Sequence, residues 1–392
     1  MQETWRWFGP SDPITLQQVA QAGATGIVTS LHHIATGDLW PLDEILKRKA
    51  EIEAAGLEWS VVESVPLHNN IKLRKDNYLE LLDNYRQTLI NLGEAGVHTV
   101  CYNFMPVVDW TRTNLNYRLK SDARALRFEM SDFIAYDVYM LQRPGAEGDY
   151  SAEQLAKAKQ RFEELTEEEQ ALLERNIIAG LPGGEGSYSR ETIQQAIAEF
   201  IALGTEGYRE NLFAFLRDIV PAAEQAGVEM CIHPDDPPFS LFGLPRVVST
   251  EDDANAILTA VPSPSNGLTM CAGSFGARGD NDLVRMIRRF GERIYFVHLR
   301  NVKREADGSF YESDHLDGDN DMIGIMNALL DEEGRRSQEG GRSIPMRPDH
   351  GHLLAAEVDK PGTNPGYSYG GRMKSLAELR GALHVLQSMR RQ

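Results

Sequence analysis

The chain has 392 residues, 42% of them hydrophobic, so it can bury a sizeable core as one large domain or as two ordinary ones. Its formal net charge of −18 argues against nucleic acid and anionic membrane surfaces as partners, because both would repel it. No segment approaches the roughly 20 consecutive apolar residues of a membrane helix, and the N-terminus lacks the basic-then-apolar pattern of a signal peptide, so we expect a cytoplasmic protein.

Strand-like apolar runs alternate with amphipathic helical patterns along the chain. Several of the predicted helices stop at a glycine just before the next strand, as at Gly56, Gly96 and Gly227, which is a helix C-cap repeated in βα register. Eight such units predict a (β/α)8 TIM barrel, formed by a single domain over residues 1–392, with the active site at the C-terminal ends of the strands. The predicted strands are 6–9, 26–31, 57–63, 97–104, 228–233, 267–272, 293–300 and 343–349.

One segment, residues 107–204, does not fit this repeat and is rich in helix formers. A helical insertion of that length after the fourth strand is either a solvated hairpin or a segment that covers the site or pairs subunits, and the pattern favours neither. Within it, the glycine-rich run 181–186 follows no strand and lacks the GK[ST] of a phosphate loop, so we interpret it as a turn.

Four predicted strands end in a potential metal ligand, which suggests one divalent metal site. These residues are His233, Cys271, His298 and Asp349. Taken alone, each histidine or cysteine is more often a packed core residue than a ligand. The position of Cys271 makes it a candidate ligand, because it precedes a glycine-rich turn where the backbone can approach a bound ligand. The other two cysteines, Cys101 and Cys231, lie inside apolar runs and are predicted to be core; with an odd number and no CxxC spacing, we expect reduced thiols.

Arginine and histidine side chains accompany these candidate ligands. Arg300 lies two residues beyond His298, so both can face the same side of a strand, and a guanidinium binds carboxylates in a bidentate way. The run RPDHGH, residues 347–352, is the most chemically dense in the chain. It offers Asp349 as a ligand and His350 as an acid or base, with Arg347 and His352 beside them.

Six runs together resemble the metal-dependent mannonate dehydratases of hexuronate catabolism, the barrel type related to xylose isomerase-like proteins. The runs are RWFGPSDP, CIHPDDPP, CAGSFG, FVHLRNV, RPDHGH and PGYSYGGRMKSLAELRG, and the match extends from the first strand to the last helix. The resemblance implies a lyase that converts D-mannonate to 2-dehydro-3-deoxy-D-gluconate, with Mn²⁺ or Fe²⁺ at the four candidate ligands. It also implies that His350 and Tyr367 transfer protons, although Tyr369 competes with Tyr367.

We further expect substrate binding by four side chains of these runs and assembly as a homodimer. The four residues are Arg300, Arg347, Arg372 and His352. Two rival functions stay open. A sugar isomerase or epimerase of the same barrel class typically uses paired glutamates among its ligands, whereas these strand ends offer His, Cys, His and Asp. A non-catalytic sugar-acid binding protein would not need an acid–base pair beside the metal.

Overall fold

The computed structural model describes residues 1–178 and 188–391, and it contains a closed barrel of eight parallel strands. The strands of the described chain are β1 Gln2–Arg6, β2 Gly26–Thr29, β3 Glu58–Glu63, β4 Thr99–Tyr102, β5 Asn114–Arg118, β6 Arg124–Phe128, β7 Glu229–Ile232, β8 Asn266–Cys271, β9 Ile294–His298, β10 Val302–Arg304, β11 Phe310–Glu312 and β12 Pro345–Arg347. Around the barrel the order is β1–β12–β9–β8–β7–β4–β3–β2. The predicted TIM barrel is therefore confirmed.

Helices alternate with the barrel strands, and others lie in the loops and in the insertion 107–204. They are α1 Leu16–Gln21, α2 Leu42–Ala54, α3 Asn69–Leu73, α4 Tyr78–Glu94, α5 Met130–Ala135, α6 Ala152–Glu164, α7 Glu167–Ile178, α8 Arg190–Ala226, α9 Glu251–Ala260, α10 Ala272–Phe275, α11 Leu283–Phe290, α12 Met322–Glu339 and α13 Tyr369–Arg390. Gly56, Gly96 and Gly227 follow helix ends with φ of 77°, 74° and 65°, as the predicted C-caps require. No helix of the described residues is long and apolar enough to cross a membrane.

The first strand is the one barrel strand whose predicted position was wrong. It was predicted at 6–9, but β1 runs from Gln2 to Arg6, and the two ranges share only Arg6. The polar residues Gln2 and Glu3 begin the strand at the rim of the barrel, so the apolar pattern does not reveal them. Beyond Trp7, whose backbone N–H still bonds to the carbonyl of Val28, the chain turns at Gly9 with φ of 87°.

Side chains inside the barrel form a small apolar cluster separate from the main core between strands and helices. Its members are Val28, Val61, Cys101, Cys231, Tyr295 and Phe296. Both Cys101 and Cys231 are at most 1% exposed there, so their predicted place in the core is confirmed. The cluster closes the barrel below the ends of the strands and leaves the C-terminal side for chemistry.

The segment 107–204 contains more than helices. Its hairpin of β5 and β6 pairs with β11 and β10, which follow β9, and the four strands form a second, antiparallel sheet. This hairpin was not predicted, because its strands alternate with charged residues and gain their partner from a distant loop. Helix α8 begins inside the segment and continues to Ala226, with a kink at Gly204. The turn predicted at 181–186 lies outside the described residues.

Candidate active site

A cavity lies at the carboxyl ends of the barrel strands, where the fold places active sites. Seven of the predicted site residues line it: His233, His298, Arg300, Arg347, Asp349, His350 and Tyr367. The insertion also contributes to its walls, with the stretch from Val107 to Trp110 and with Ile178 and Tyr188. The insertion therefore lies over the strand ends instead of extending only into solvent.

His233, Cys271 and His298 come together at the ends of three adjacent strands. Their candidate ligand atoms all lie within 4.8 Å of one another. The register of the sheet explains part of this, because Cys271 at the end of β8 pairs directly with His298 at the end of β9. The Nε2 atom of His233 lies 3.3 Å from Nδ1 of His298, so these two nitrogens face a common point.

The outer nitrogens of both histidines face acceptors, as is usual for metal-bound imidazoles. Nδ1 of His233 lies 2.7 Å from the carbonyl oxygen of Pro234. Nε2 of His298 lies 3.2 Å from Oε1 of Glu63, which ends β3. The hydrogen bond at Nδ1 of His233 leaves its Nε2 as the lone-pair donor, whereas Nε2 of His298 is near Glu63 without a hydrogen bond among the described residues. The arrangement fits a divalent ion between the two rings.

Cys271 has the surroundings of a thiolate. Burial raises the pKa of its thiol, but Arg300, His233 and His298 outweigh burial, and the pKa is held well below its ordinary value. The sulfur also accepts hydrogen bonds from the backbone N–H and the hydroxyl of Ser274, at 3.4 and 3.1 Å. Burial lowers the pKa of His233, yet the neighbouring Cys271 thiolate raises it to about 10. A charged soft ligand beside two imidazoles suits a borderline divalent metal.

Asp349 lies beside this cluster, but neither of its carboxylate oxygens is within 4.8 Å of all three ligand atoms. Its Oδ2 atom is 3.8 Å from Nδ1 of His298 and accepts a hydrogen bond from Arg300 at 3.0 Å. Oδ1 accepts one from Arg347 at 2.6 Å. The backbone of Asp349 has φ of 68°, an uncommon value outside glycine. The carboxylate is thus fixed at the mouth of the cluster by two arginines.

Arg300 is held tightly in place. Its Nη2 atom donates to Asp236 at 2.7 Å, and Asp236 also accepts from Arg112 at 2.7 Å. Burial raises the pKa of Asp236, but these two guanidiniums outweigh it and hold the pKa well below the ordinary value. Gly273 allows this approach, since a Cβ there would lie 1.8 Å from Nε of Arg300. The glycine-rich turn predicted after Cys271 therefore leaves space for the side chain of Arg300.

His350 is oriented by a carboxylate that the sequence analysis missed. Its Nδ1 atom lies 2.8 Å from both carboxylate oxygens of Glu312, at the end of β11. Burial raises the pKa of Glu312, but His350 and Arg300 outweigh it and lower the pKa. A carboxylate acceptor at Nδ1 selects the tautomer in which Nε2 carries the free lone pair.

Tyr367, not Tyr369, faces the cavity. The rings of Tyr367 and His350 meet edge to face with centroids 5.0 Å apart. Burial raises the pKa of Tyr367 to about 12. The hydroxyl of Tyr369 instead donates to the carbonyl oxygen of Gln18, and its ring packs on Trp5. The tyrosine beside the predicted base is therefore Tyr367.

Arg372 and His352 are not brought into the cavity wall. The guanidinium of Arg372 lies 4.1 Å from the ring centroid of Trp5 and donates to the carbonyl oxygen of Arg6. Burial lowers its pKa to about 9. Nε2 of His352 donates to the carbonyl oxygen of Glu312 at 2.9 Å. Both side chains support neighbours of the cavity.

Three functional carboxylates escaped the sequence analysis, and two of them left a signal. Glu63 ends a predicted strand just as His298 does, and Asp236 lies in the CIHPDDPP run. Glu312 carries no local signal, because it reaches His350 through the second sheet. These three carboxylates and Asp349 face the guanidiniums of Arg6, Arg112, Arg300 and Arg347.

Comparisons with known proteins indicate one and the same family along the whole chain. The sequence model of the D-mannonate dehydratase (UxuA) family matches residues 1–392. The chain belongs to this family. A mannonate dehydratase of Saccharophagus degradans is 69% identical over 394 residues, which cover 100% of this chain and 99% of that protein.

Solved structures extend the likeness to the fold. The crystal structure of mannonate dehydratase from Streptococcus suis serotype 2 matches with a TM-score of 0.79 and 32% identity, covering 99% of this chain and 95% of that one. A xylose isomerase domain protein from Planctomyces limnophilus matches with a TM-score of 0.50 and 9% identity, over 99% of this chain and 97% of that one. The likeness to the Planctomyces limnophilus protein shows the fold alone. The likeness to the mannonate dehydratase of Streptococcus suis confirms the family resemblance that the sequence indicated.

Proposed function

We propose that the protein is a hydro-lyase that converts D-mannonate to 2-dehydro-3-deoxy-D-gluconate and water in hexuronate catabolism. Family membership supports the reaction, and the observation that carries it in the structure is the meeting of the His233–Cys271–His298 cluster with His350 and Tyr367 in one cavity. An elimination beside a carboxylate needs charge stabilisation, a base and an acid, and this cavity offers a group for each.

We assign the metal to His233, Cys271 and His298, with Asp349 as the fourth ligand. A divalent ion supplies a Lewis acid for the carboxylate end of the substrate, where removal of the C2 proton builds up negative charge. The resemblance to the family favours Mn²⁺, with Fe²⁺ as the alternative, since the donor set alone suits Fe²⁺ or Zn²⁺ as well. The four guanidiniums around the site are paired with four carboxylates, so their charges largely cancel. The positive charge of a bound metal ion would therefore help an anionic substrate to bind.

The proton transfers belong to His350 and Tyr367. Glu312 orients His350 so that Nε2 can accept the C2 proton. Tyr367, protonated because burial raises its pKa to about 12, can donate to the departing C3 hydroxyl, which leaves as water. The enol with its double bond between C2 and C3 then takes up a proton at C3 and becomes the 2-keto acid. No electron transfer is required.

The remaining predicted residues take supporting roles in this proposal. Arg300 and Arg347 line the cavity and hold Asp349, whereas Arg372 and His352 position its neighbours. The large negative charge and the metabolic reaction agree with a cytoplasmic enzyme. We also propose a homodimer, which measurement of the mass in solution would test.

The reaction is tested with a panel of six-carbon aldonates and Mn²⁺. We expect D-mannonate to lose one water and form a 2-keto acid, detected by mass spectrometry and by carbonyl-specific derivatisation. Protein stripped of metal by a chelator should not form the product, because the charge that develops next to the carboxylate is then not stabilised. An isomer or epimer of unchanged mass would favour the isomerase alternative, and the absence of any product would contradict the proposal.

The position of the insertion leads to a prediction about dynamics. Binding of D-mannonate to the manganese-loaded protein should slow amide hydrogen exchange in the stretch from Val107 to Trp110, because closing the cavity excludes water and orders its wall. Helix α2, Leu42–Ala54, lies on the outside of the barrel and is the internal control. Unchanged exchange throughout 107–204 would leave the insertion without a role in covering the site.

A further inference from the structure

A lysine in the cavity wall is nearly buried and has no partner among the described residues. Lys72 lies in α3, after the loop that follows β3, and lines the cavity although it belongs to none of the motifs described above. It is only 5% exposed. Among residues 1–178 and 188–391, no carboxylate lies within 4.0 Å of its ammonium and no side-chain hydrogen bond reaches it. An ammonium on a nearly buried side chain is costly to leave unpaired, so its place in the cavity wall indicates a ligand.

The other cations of the cavity wall differ from Lys72 in this respect. Arg6, Arg300 and Arg347 each have a carboxylate oxygen within 3.0 Å. Their charges are therefore already compensated in the protein, and their donors are largely occupied. Lys72 keeps its three N–H donors for a bound molecule.

Lys72 and the metal-ligand cluster lie on different elements around the cavity. The ligand-bearing strands β7, β8 and β9 are neighbours in the ring. Glu63 at the end of β3 still reaches His298, but Lys72 lies further along the chain, in α3, where Asn69 donates a hydrogen bond to Tyr188 of the insertion. A sugar acid with its carboxylate at the cluster can extend its other end toward this part of the wall, which α3 and the insertion form.

We propose that Lys72 determines specificity by donating hydrogen bonds to the hydroxyls at C5 and C6 of the substrate. This inference rests on the proposed function, because it takes the six-carbon chain of D-mannonate as the ligand. None of the carboxylates around the cluster, Glu63, Asp236 and Asp349, lies within 4.0 Å of the ammonium, which sets it apart from the carboxylate end of the substrate. Hydroxyl oxygens are the acceptors that the rest of the sugar chain offers. Lys72 thus recognises chain length, whereas the cluster and His350 act at C1 to C3.

Calorimetry on manganese-loaded protein tests this role. The His350→Asn background prevents turnover, and Lys72→Met is added to it because methionine keeps the apolar stem and removes the charge. We expect Lys72→Met to weaken binding of D-mannonate by about tenfold or more, the effect of losing hydrogen bonds from a charged donor. Binding of the four-carbon aldonate that keeps the C2 and C3 configuration should not change, since it lacks C5 and C6. Lys72→Arg should restore part of the lost affinity.

Two controls separate recognition from structure. Lys75→Met removes a neighbouring lysine that pairs with Glu199 outside the cavity, and it should leave both affinities unchanged. If Lys72→Met does not fold, Lys72→Gln is measured in the same way. Equal weakening for the two aldonates, or unchanged binding of D-mannonate, would overturn the proposal. Failure of the unmodified protein to form a 2-keto acid would instead contradict the proposed function, while the calorimetric comparison would still decide the role of Lys72.

Discussion

His350→Asn should lower the turnover of D-mannonate by roughly 10²-fold or more with only a modest loss of substrate affinity. Asparagine fills a similar space but cannot take up a proton at the position of Nε2. Tyr367→Phe should have an effect of the same size, because it removes the hydroxyl that is buried beside His350. Steady-state kinetics on manganese-loaded protein measure both. Lost turnover with unchanged affinity is the signature of lost acid–base catalysis.

Exchange of the C2 hydrogen in heavy water distinguishes the two roles. If His350 is the base and Tyr367 the acid, Tyr367→Phe can still remove and return the C2 proton when elimination stalls, so the substrate gains deuterium. His350→Asn should show no exchange. Tyr369→Phe is the matched control, since that hydroxyl bonds to Gln18 outside the cavity. Exchange that survives without the histidine and vanishes without the tyrosine would reverse the assignment, and near-normal turnover in both variants would defeat the mechanism.

Cys271→Ser should lower both manganese content and turnover while leaving the fold intact. A neutral hydroxyl there replaces a thiolate whose charge Arg300 and the two histidines stabilise. Metal analysis of the purified variant, together with circular dichroism, measures the outcome independently of catalysis. The expected loss of turnover is roughly 10²-fold, within the range for disturbed metal sites.

Cys231→Ser is the matched control for this prediction. Cys231 is fully buried inside the barrel, in the apolar cluster beneath the site. Its replacement should cost stability, measured as a lower Tm, and leave manganese content unchanged. Full metal content and turnover in Cys271→Ser would remove Cys271 from the site. Lost metal in Cys231→Ser with normal metal in Cys271→Ser would mean that the other cysteine is the ligand.

Local sequence was enough to predict the barrel and the group of candidate ligands. Apolar runs of strand length and glycines at helix ends are properties of neighbouring residues, so they are visible without a structure. Because parallel strands of one barrel end on the same side, His233, Cys271 and His298 could be expected to meet. The first strand was misplaced for the same local reason, since its polar start carries no apolar signal.

Tertiary structure alone decided which charged groups act on these residues. Glu312 reaches His350 through a sheet whose strands come from the insertion and from the loop after β9, and the two residues are 38 positions apart. Arg112 and Asp236 are 124 positions apart. Such pairs have no local pattern, because the free energy of pairing buried charges depends on distance and burial and not on separation in the chain. The same holds for Arg372, which we expected to bind the substrate but whose guanidinium packs on Trp5. It also holds for Lys72, because only the folded chain reveals that none of the residues described by the structure pairs with its ammonium.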